Sequence, residues 1–349
     1  FALKKNIILI TLSFFLASCY STKHISEKNY ILKKNTVFIN NKKNTRIKNI
    51  SKREINAIIK QKPNKKIIGI IPFYLWLYNL SNPQKTNWAN SYLRKIGESP
   101  VTIDSVLIAK SVNQIKSHFE NNGYFTASVE SEITYKKHKG SVNYYITTGN
   151  SYIIENIKYT NIHRKDIQKL ITSNIKKNDL KKGDVFTYSS LNSRRIDIEN
   201  LLQNNGYYKF SKELIYVQAD STKYKNISLD FLLRNEGVDS MRYEKFNIRN
   251  IYIHTKEQFT QADTINYNGY YFIVDKTERP NLQLKQISSI ITINQNDLYS
   301  KKEAENTYRN LSNLILFNKI LIEFTEFTSI QELDCNIYLE PSTKMYYSI

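Results

Sequence analysis

The side chains with the most chemical potential in this 349-residue chain are few and far apart. His24, His118, His138, His163 and His254 share no ligand spacing with one another or with either cysteine, so the pattern of a zinc site is missing. Gly149-Asn150-Ser151-Tyr152-Ile153 is the nearest approach to a nucleophilic serine elbow, and Ile153 stands where that turn needs glycine. With 9 glycines in all, the chain has no glycine-rich loop to cradle a phosphate. Glu130 and Glu132 alternate along one extended run and so share a solvated face, whereas acid–base catalysis needs two carboxylates across a cleft. These residues argue against an enzyme, and no cofactor or metal is expected. The chemistry left to consider is that of the main chain, whose N–H and C=O groups bind other polypeptides wherever a strand lacks a neighbour.

A composition of 41% hydrophobic and 13% aromatic residues fits folded β-containing domains, and the length suits two to four of them at roughly 100–150 residues each. The formal charge of +20 is spread along the chain. A scattered excess is no nucleic-acid footprint; it fits either the Lys, Asn and Ile bias of an AT-rich genome or attraction to a lipid surface. The N-terminus is more specific. Lys4 and Lys5 precede an apolar run from Ile7 to Ala17 that closes in Leu16-Ala17-Ser18-Cys19, too short to span a bilayer. This segment resembles a bacterial lipoprotein signal, which implies that Cys19 is the lipidated first residue after removal of residues 1–18; a plain secretory signal with a chance cysteine is the alternative. Cys335, in an alternating strand pattern, reads as an inert core thiol.

Stepping along the chain, "ENNGYF" at 120–125 returns as "QNNGYY" at 203–208, each time between a helical and a strand-like pattern. Ile108, Val112, Ile115 and Phe119 form one helical stripe with Asp104 as N-cap; Leu191, Ile198 and Leu202 repeat it with Arg195 at an apolar place; Ala304, Tyr308, Leu311 and Ile315 repeat it again. Gly123 and Gly206 then serve as left-handed helix C-caps, with Asn318 expected to do so in the third copy. Two extended runs follow each helix, and "YIIENIKY" and "FNIRNIYI" precede the second and third copies. Shorter helices are legible in 51–61 and 164–175. The fold class is α+β: three tandem β-α-α-β-β domains, each a three-stranded mixed sheet with two helices on one face. Residues 62–100 are additional sequence in the first domain, either packed inside it or forming a contact surface for a partner or a membrane interface.

This order of elements, the Asn-Asn-Gly-Tyr junction, "QKPNKKIIGIIPF", "YNLSNP", "GESP", "LASCYSTKHI" and the closing "LEPSTKMYYSI" resemble the POTRA-domain periplasmic region of the TamA/BamA outer-membrane assembly family, in its lipidated Bacteroidota form, TamL. The corresponding division is a signal at 1–18, a tether at 19–35, domains at 36–149, 150–237 and 238–343, and at 344–349 the start of a membrane barrel that the chain does not contain. The resemblance implies a lipid anchor in the outer membrane, domains in the periplasm, and partners among outer-membrane and envelope assembly proteins, including the chain's own barrel. It also implies that the strand after each junction is a sheet edge open to client strands, which places Ala127, Val129, Ile133 and Tyr135, Leu214 and Tyr216, and Ile320 and Ile322 at candidate binding edges. A free-standing lipoprotein adaptor bridging envelope proteins is the alternative.

Overall fold

Ile31, Leu32, Val37 and Ile39 are all buried and draw the chain into its first strand, β1 (Ile31–Ile39), five residues ahead of the expected domain start at 36. The exposed pair Lys33-Lys34 breaks the alternation at a register shift between Leu32 and Lys34, which is why this stretch reads as a polar tether in the sequence. The computed structural model describes residues 29–40, 47, 50–69, 71–175, 179–223, 225–234, 237, 240–256, 260–276 and 284–342. The signal, Cys19 and residues 344–349 lie outside the described residues.

The first domain continues with α1 (Lys52–Ile58), started by a capping box in which Ser51 and Glu54 each satisfy the other's backbone N–H. After the added segment, with α2 (Phe73–Leu80) and α3 (Trp88–Ile96), comes α4 (Ser105–Asn121), whose Asp104 cap accepts from Val106 N at 2.8 Å. Helix α4 buries Ile108, Ser111, Ile115 and Phe119. The hairpin of β2 (Ser128–Lys136) and β3 (Lys139–Thr147) completes a sheet of order β1-β3-β2, with β1 parallel and β2 antiparallel to the central β3. Val142, Tyr144 and Ile146 of β3 meet the buried face of α4 in one core.

The second domain repeats the order with β4 (Ile153–Lys158), α5 (Lys165–Ser173), α6 (Tyr188–Gln203), β5 (Ile215–Asp220) and β6 (Asn226–Leu233), arranged β4-β6-β5. Every second residue of β6, namely Ile227, Leu229, Phe231 and Leu233, is buried. Helix α6 turns Arg194 inward, not the apolar stripe's Arg195. The Arg194 guanidinium pairs with Asp179 at 2.7 Å and donates to the Tyr159 hydroxyl at 3.0 Å. Arg195 instead reaches the Lys212 carbonyl at 2.7 Å.

The third domain holds β7 (Asn247–His254), β8 (Ala262–Tyr267), β9 (Tyr270–Asp275), α7 (Leu284–Ile290), α8 (Lys301–Asn313), β10 (Phe317–Phe327) and β11 (Glu332–Pro341). Its sheet has five strands in the order β10-β11-β7-β9-β8, where three were expected. The two extra strands form a hairpin closed by Asn268 and Gly269, both at positive φ (52° and 83°), between the facing residues Tyr267 and Tyr270. Asn-Gly between alternating apolar residues is the strongest short-range hairpin signal, and it was legible in "NYNGYYF". Helix α8 buries Leu311 and packs Ala304 on the core as the expected stripe has it, but Thr307 takes the inward place expected of Tyr308, which stays 51% exposed. Its exit uses Ile315 at φ 55°; Asn318 already belongs to β10.

The architecture is therefore α+β, with eight α-helices and three mixed small sheets among the described residues. By proximity these residues fall into two compact units, one taking the chain to Ile153 with Val185–Ser189, the other Ile154–Asp184 with Ser190 onward. Sheets two and three share the second unit.

Candidate strand-docking edges

Each edge begins at a helix end. Gly123 sits at φ 85°, Gly123 N donates to the Glu120 carbonyl and Tyr124 N to the Phe119 carbonyl, both at 3.0 Å, the paired bonds of a Schellman cap. The Tyr124 ring folds back edge-on to Phe119, centroids 5.9 Å apart. The next aromatic, Phe125, packs on Tyr152 and Phe186, and the Gly123 carbonyl accepts from Tyr152 N at 2.9 Å, all within the first unit. Inside the second unit the same grammar recurs: Gly206 is at φ 98°, Tyr207 N reaches the Leu202 carbonyl at 3.2 Å, and the Gly206 carbonyl accepts from Phe246 N at 2.9 Å. Tyr207 is fully buried and donates its hydroxyl to Asp166 at 2.8 Å, while Tyr208 packs on Phe246, Tyr299 and Phe324. Asn-Asn-Gly-Tyr-aromatic thus ends a helix, plugs its own core with the first ring and offers the second to a neighbouring aromatic cluster.

The strands launched from these junctions, β2 and β5, and the corresponding β10, each stand at the outside of their sheet. Ala127 is buried in the turn before β2; Val129 and Ile133 are half-buried against the first core; Tyr135 continues that face beyond the core, 52% exposed with its ring 4.4 Å from that of Tyr30. Leu214 is buried in a short turn (Lys212–Leu214) just ahead of β5, and Tyr216 is exposed with the Arg234 guanidinium 5.7 Å from its ring centre. Ile320 and Ile322 are half-buried against the third core. Most of the named side chains therefore hold the strand down, and what each edge presents outward is backbone plus the opposite face: Glu130 and Glu132 on β2, Gln218 and Asp220 on β5, Leu321 and Glu323 on β10.

The three edges are unequal. β5 runs for 6 residues, β2 for 9 and β10 for 11. β10 pairs with β11 from Phe317↔Pro341 to Phe327↔Glu332, and its far end is braced where Arg249, bonded to both carboxylate oxygens of Asp334 (2.9 and 2.6 Å), lies 3.6 Å from the Phe327 ring centre. On the outer face Leu321 and Tyr338 border a shallow cavity of about 220 Å³ with Lys319, Glu323 and Glu340 at its rim, and Tyr338 stacks on His254 at 4.3 Å. An extended segment added to β10 would gain backbone bonds along an unusually long strand and a small apolar seat for alternate side chains. Opposite this edge, β9 pairs along the flank of β7 on the side where β1 and β4 have only isolated bridges, to Thr102 and Val185, a strand that sequence reasoning missed with the hairpin itself. Cys335 lies wholly buried in β11, and burial with the nearby Asp334 charge pushes its thiol up to about 12, which leaves it protonated and unreactive.

Outside its added segment the first domain thus has the order strand, helix, helix, strand, strand, with its outer β1 parallel to the central β3. Residues 47–149 match a POTRA domain, the family described as surface antigen variable number repeat. No curated relative matches the chain. Among solved structures, POTRA3-5 of Haemophilus influenzae BamA aligns over 91% of this chain and 99% of its own, at 12% identity and TM-score 0.41. The N-terminal domain of Omp85 from Thermosynechococcus elongatus (8% identity, TM-score 0.28, 91% of this chain and 100% of that one) also aligns. So does POTRA1-3 of Omp85 from Anabaena (9%, 0.27, 91% and 98%).

Proposed function

We propose that this chain is a tandem POTRA arm that holds extended segments of other polypeptides on its sheet edges, with β10 as the principal edge. The observation that carries the reading is the outer position of β10 combined with its 11-residue length and its apolar outer seat at Leu321 and Tyr338. Backbone pairing reads no particular sequence, so such an edge suits a host of many clients, and the alternate-residue seat adds a preference for apolar side chains. In this reading the arm works in the periplasm beside the outer membrane, is tied there by lipid on Cys19, and hands its clients to a membrane barrel. Outer-membrane and envelope assembly proteins are its partners, and its role is to position and not to catalyse.

The test is site-specific photocrosslinking. A photoreactive residue at Leu321 or Glu323 is expected to capture an unfolded outer-membrane barrel strand peptide, and one at exposed Arg309 on α8 is not. Equal capture at all positions, or capture only at Arg309, would remove β10 as the edge. Isotope-edited infrared spectra of the bound peptide are expected to show an added β-strand; a helical or disordered peptide would rule out strand addition.

A further inference from the structure

The segment between α1 and α4 is built like a bracket. At its base Asn64 donates to the Ser99 carbonyl at 2.7 Å and accepts from Val101 N at 3.0 Å, and Lys65 N donates to Glu98 at 2.9 Å. At its far end α3 buries none of its residues, and is held by Arg94 bonding the carbonyls of Asn82 (2.8 Å) and Lys85 (3.0 Å). Trp88, Tyr92 and Ile96 follow at i, i+4 and i+8 on α3, and are 82%, 58% and 38% exposed. Both tryptophans of the chain, Trp76 and Trp88, lie in this bracket. From Lys62 to Gly97 stand Lys62, Lys65, Lys66, Lys85, Arg94 and Lys95 with no Asp or Glu.

We propose that this bracket is an anionic-lipid docking element: α3 lies along a bilayer surface with Trp88, Tyr92 and Ile96 in the headgroup and upper acyl region, and Lys85 and Lys95 against lipid phosphates. Two features choose lipid over a protein partner. An exposed Trp–Tyr stripe beside lysines is the composition of an interfacial helix, whereas protein interfaces are depleted in lysine. The uniform positive sign from Lys62 to Gly97 complements an anionic surface, and Glu98, the acid at the base, is taken up by Lys65 N.

The full chain with Trp76→Phe makes Trp88 the only tryptophan, so its fluorescence reports this helix even if other parts of the chain bind membrane. With vesicles of phosphatidylcholine and phosphatidylglycerol, Trp88 emission is expected to shift to the blue and to be quenched by brominated acyl chains. Lys85→Glu with Lys95→Glu is expected to weaken that response at least about tenfold, and phosphatidylcholine alone to give little. Circular dichroism confirms that the variants remain folded. Trp88 staying open to acrylamide while the chain sits on the vesicles overturns the proposal. So does a response indifferent to charge reversal, or one elicited only by an added polypeptide.

Discussion

At the residue scale, the two junction glycines carry different burdens. A Cβ on Gly123 would stand 2.2 Å from the Phe186 carbonyl oxygen, in rigid backbone, whereas on Gly206 it would meet Leu298 and Lys245 side chains at 3.0 and 3.2 Å, which can yield. Left-handed backbone alone costs an L-residue about 1–2 kcal/mol. Gly123→Ala is therefore expected to lower the urea midpoint clearly more than Gly206→Ala does. Asp166 makes a pH prediction. Burial raises its carboxyl, but hydrogen bonds from Arg164 and Tyr207 outweigh this and hold it at about 2, below its ordinary 3.8. A depressed acid adds stability that is complete above its unfolded pKa and disappears as pH falls through the folded one. The contribution of this half-exposed group should thus fade between about pH 4 and 2, and Asp166→Asn should flatten that part of a stability–pH curve. Arg194 is 4% exposed and its partner Asp179 has a side chain 7% exposed, so removing the carboxylate strands a buried guanidinium. Asp179→Ala is expected to cost about 3 kcal/mol in chemical denaturation.

At the element scale, the β8–β9 hairpin depends on a two-residue turn that only Asn, Asp or Gly enter easily. Gly269→Val, at φ 83°, is expected to unlock the hairpin, and amide exchange should accelerate in 262–275 while the first sheet keeps its protection. Much of the element order was legible because helix stripes and strand alternation leave direct marks: the α4 stripe, the β2–β3 and β10–β11 hairpins, and the caps at Asp104 and Gly123 all stand where the pattern puts them. The misreadings have physical causes. Leu32-Lys33-Lys34 hides a strand behind a register shift. Ser111 and Thr307 are polar and so stood outside the apolar stripes, yet both are buried, because Ser111 donates to the Leu107 carbonyl and Thr307 accepts from Thr292 N. Arg194 is buried because Asp179, 15 positions earlier, comes to meet it, a pairing no helical template contains. Of the candidate edges, the outer position of each strand was what the family resemblance implied, but the length of β10 and its seat at Tyr338 depend on strands brought together from distant sequence.

At the scale of the molecule, the second unit joins two sheets through the Tyr208 cluster, the Lys209–Glu326 ion pair and the bonds of Lys301 to Asn200 (3.0 Å) and Lys302 N to Asn204 (2.8 Å). Each aromatic pair contributes about 0.5–1.5 kcal/mol beyond burial. Tyr208→Ala is therefore expected to split one calorimetric transition of this unit into two, one per sheet, with little change in either sheet's own secondary structure. The junction has a consequence for any client that reaches both β5 and β10. Under the proposed strand docking, two weak hosts joined in one unit would act as a bivalent receptor: once the first strand of a long client is caught, the second would meet its edge at a high local concentration. Chains presenting two extended segments at the matching separation would then be retained far longer than short ones, a selection by length that neither edge could exert alone.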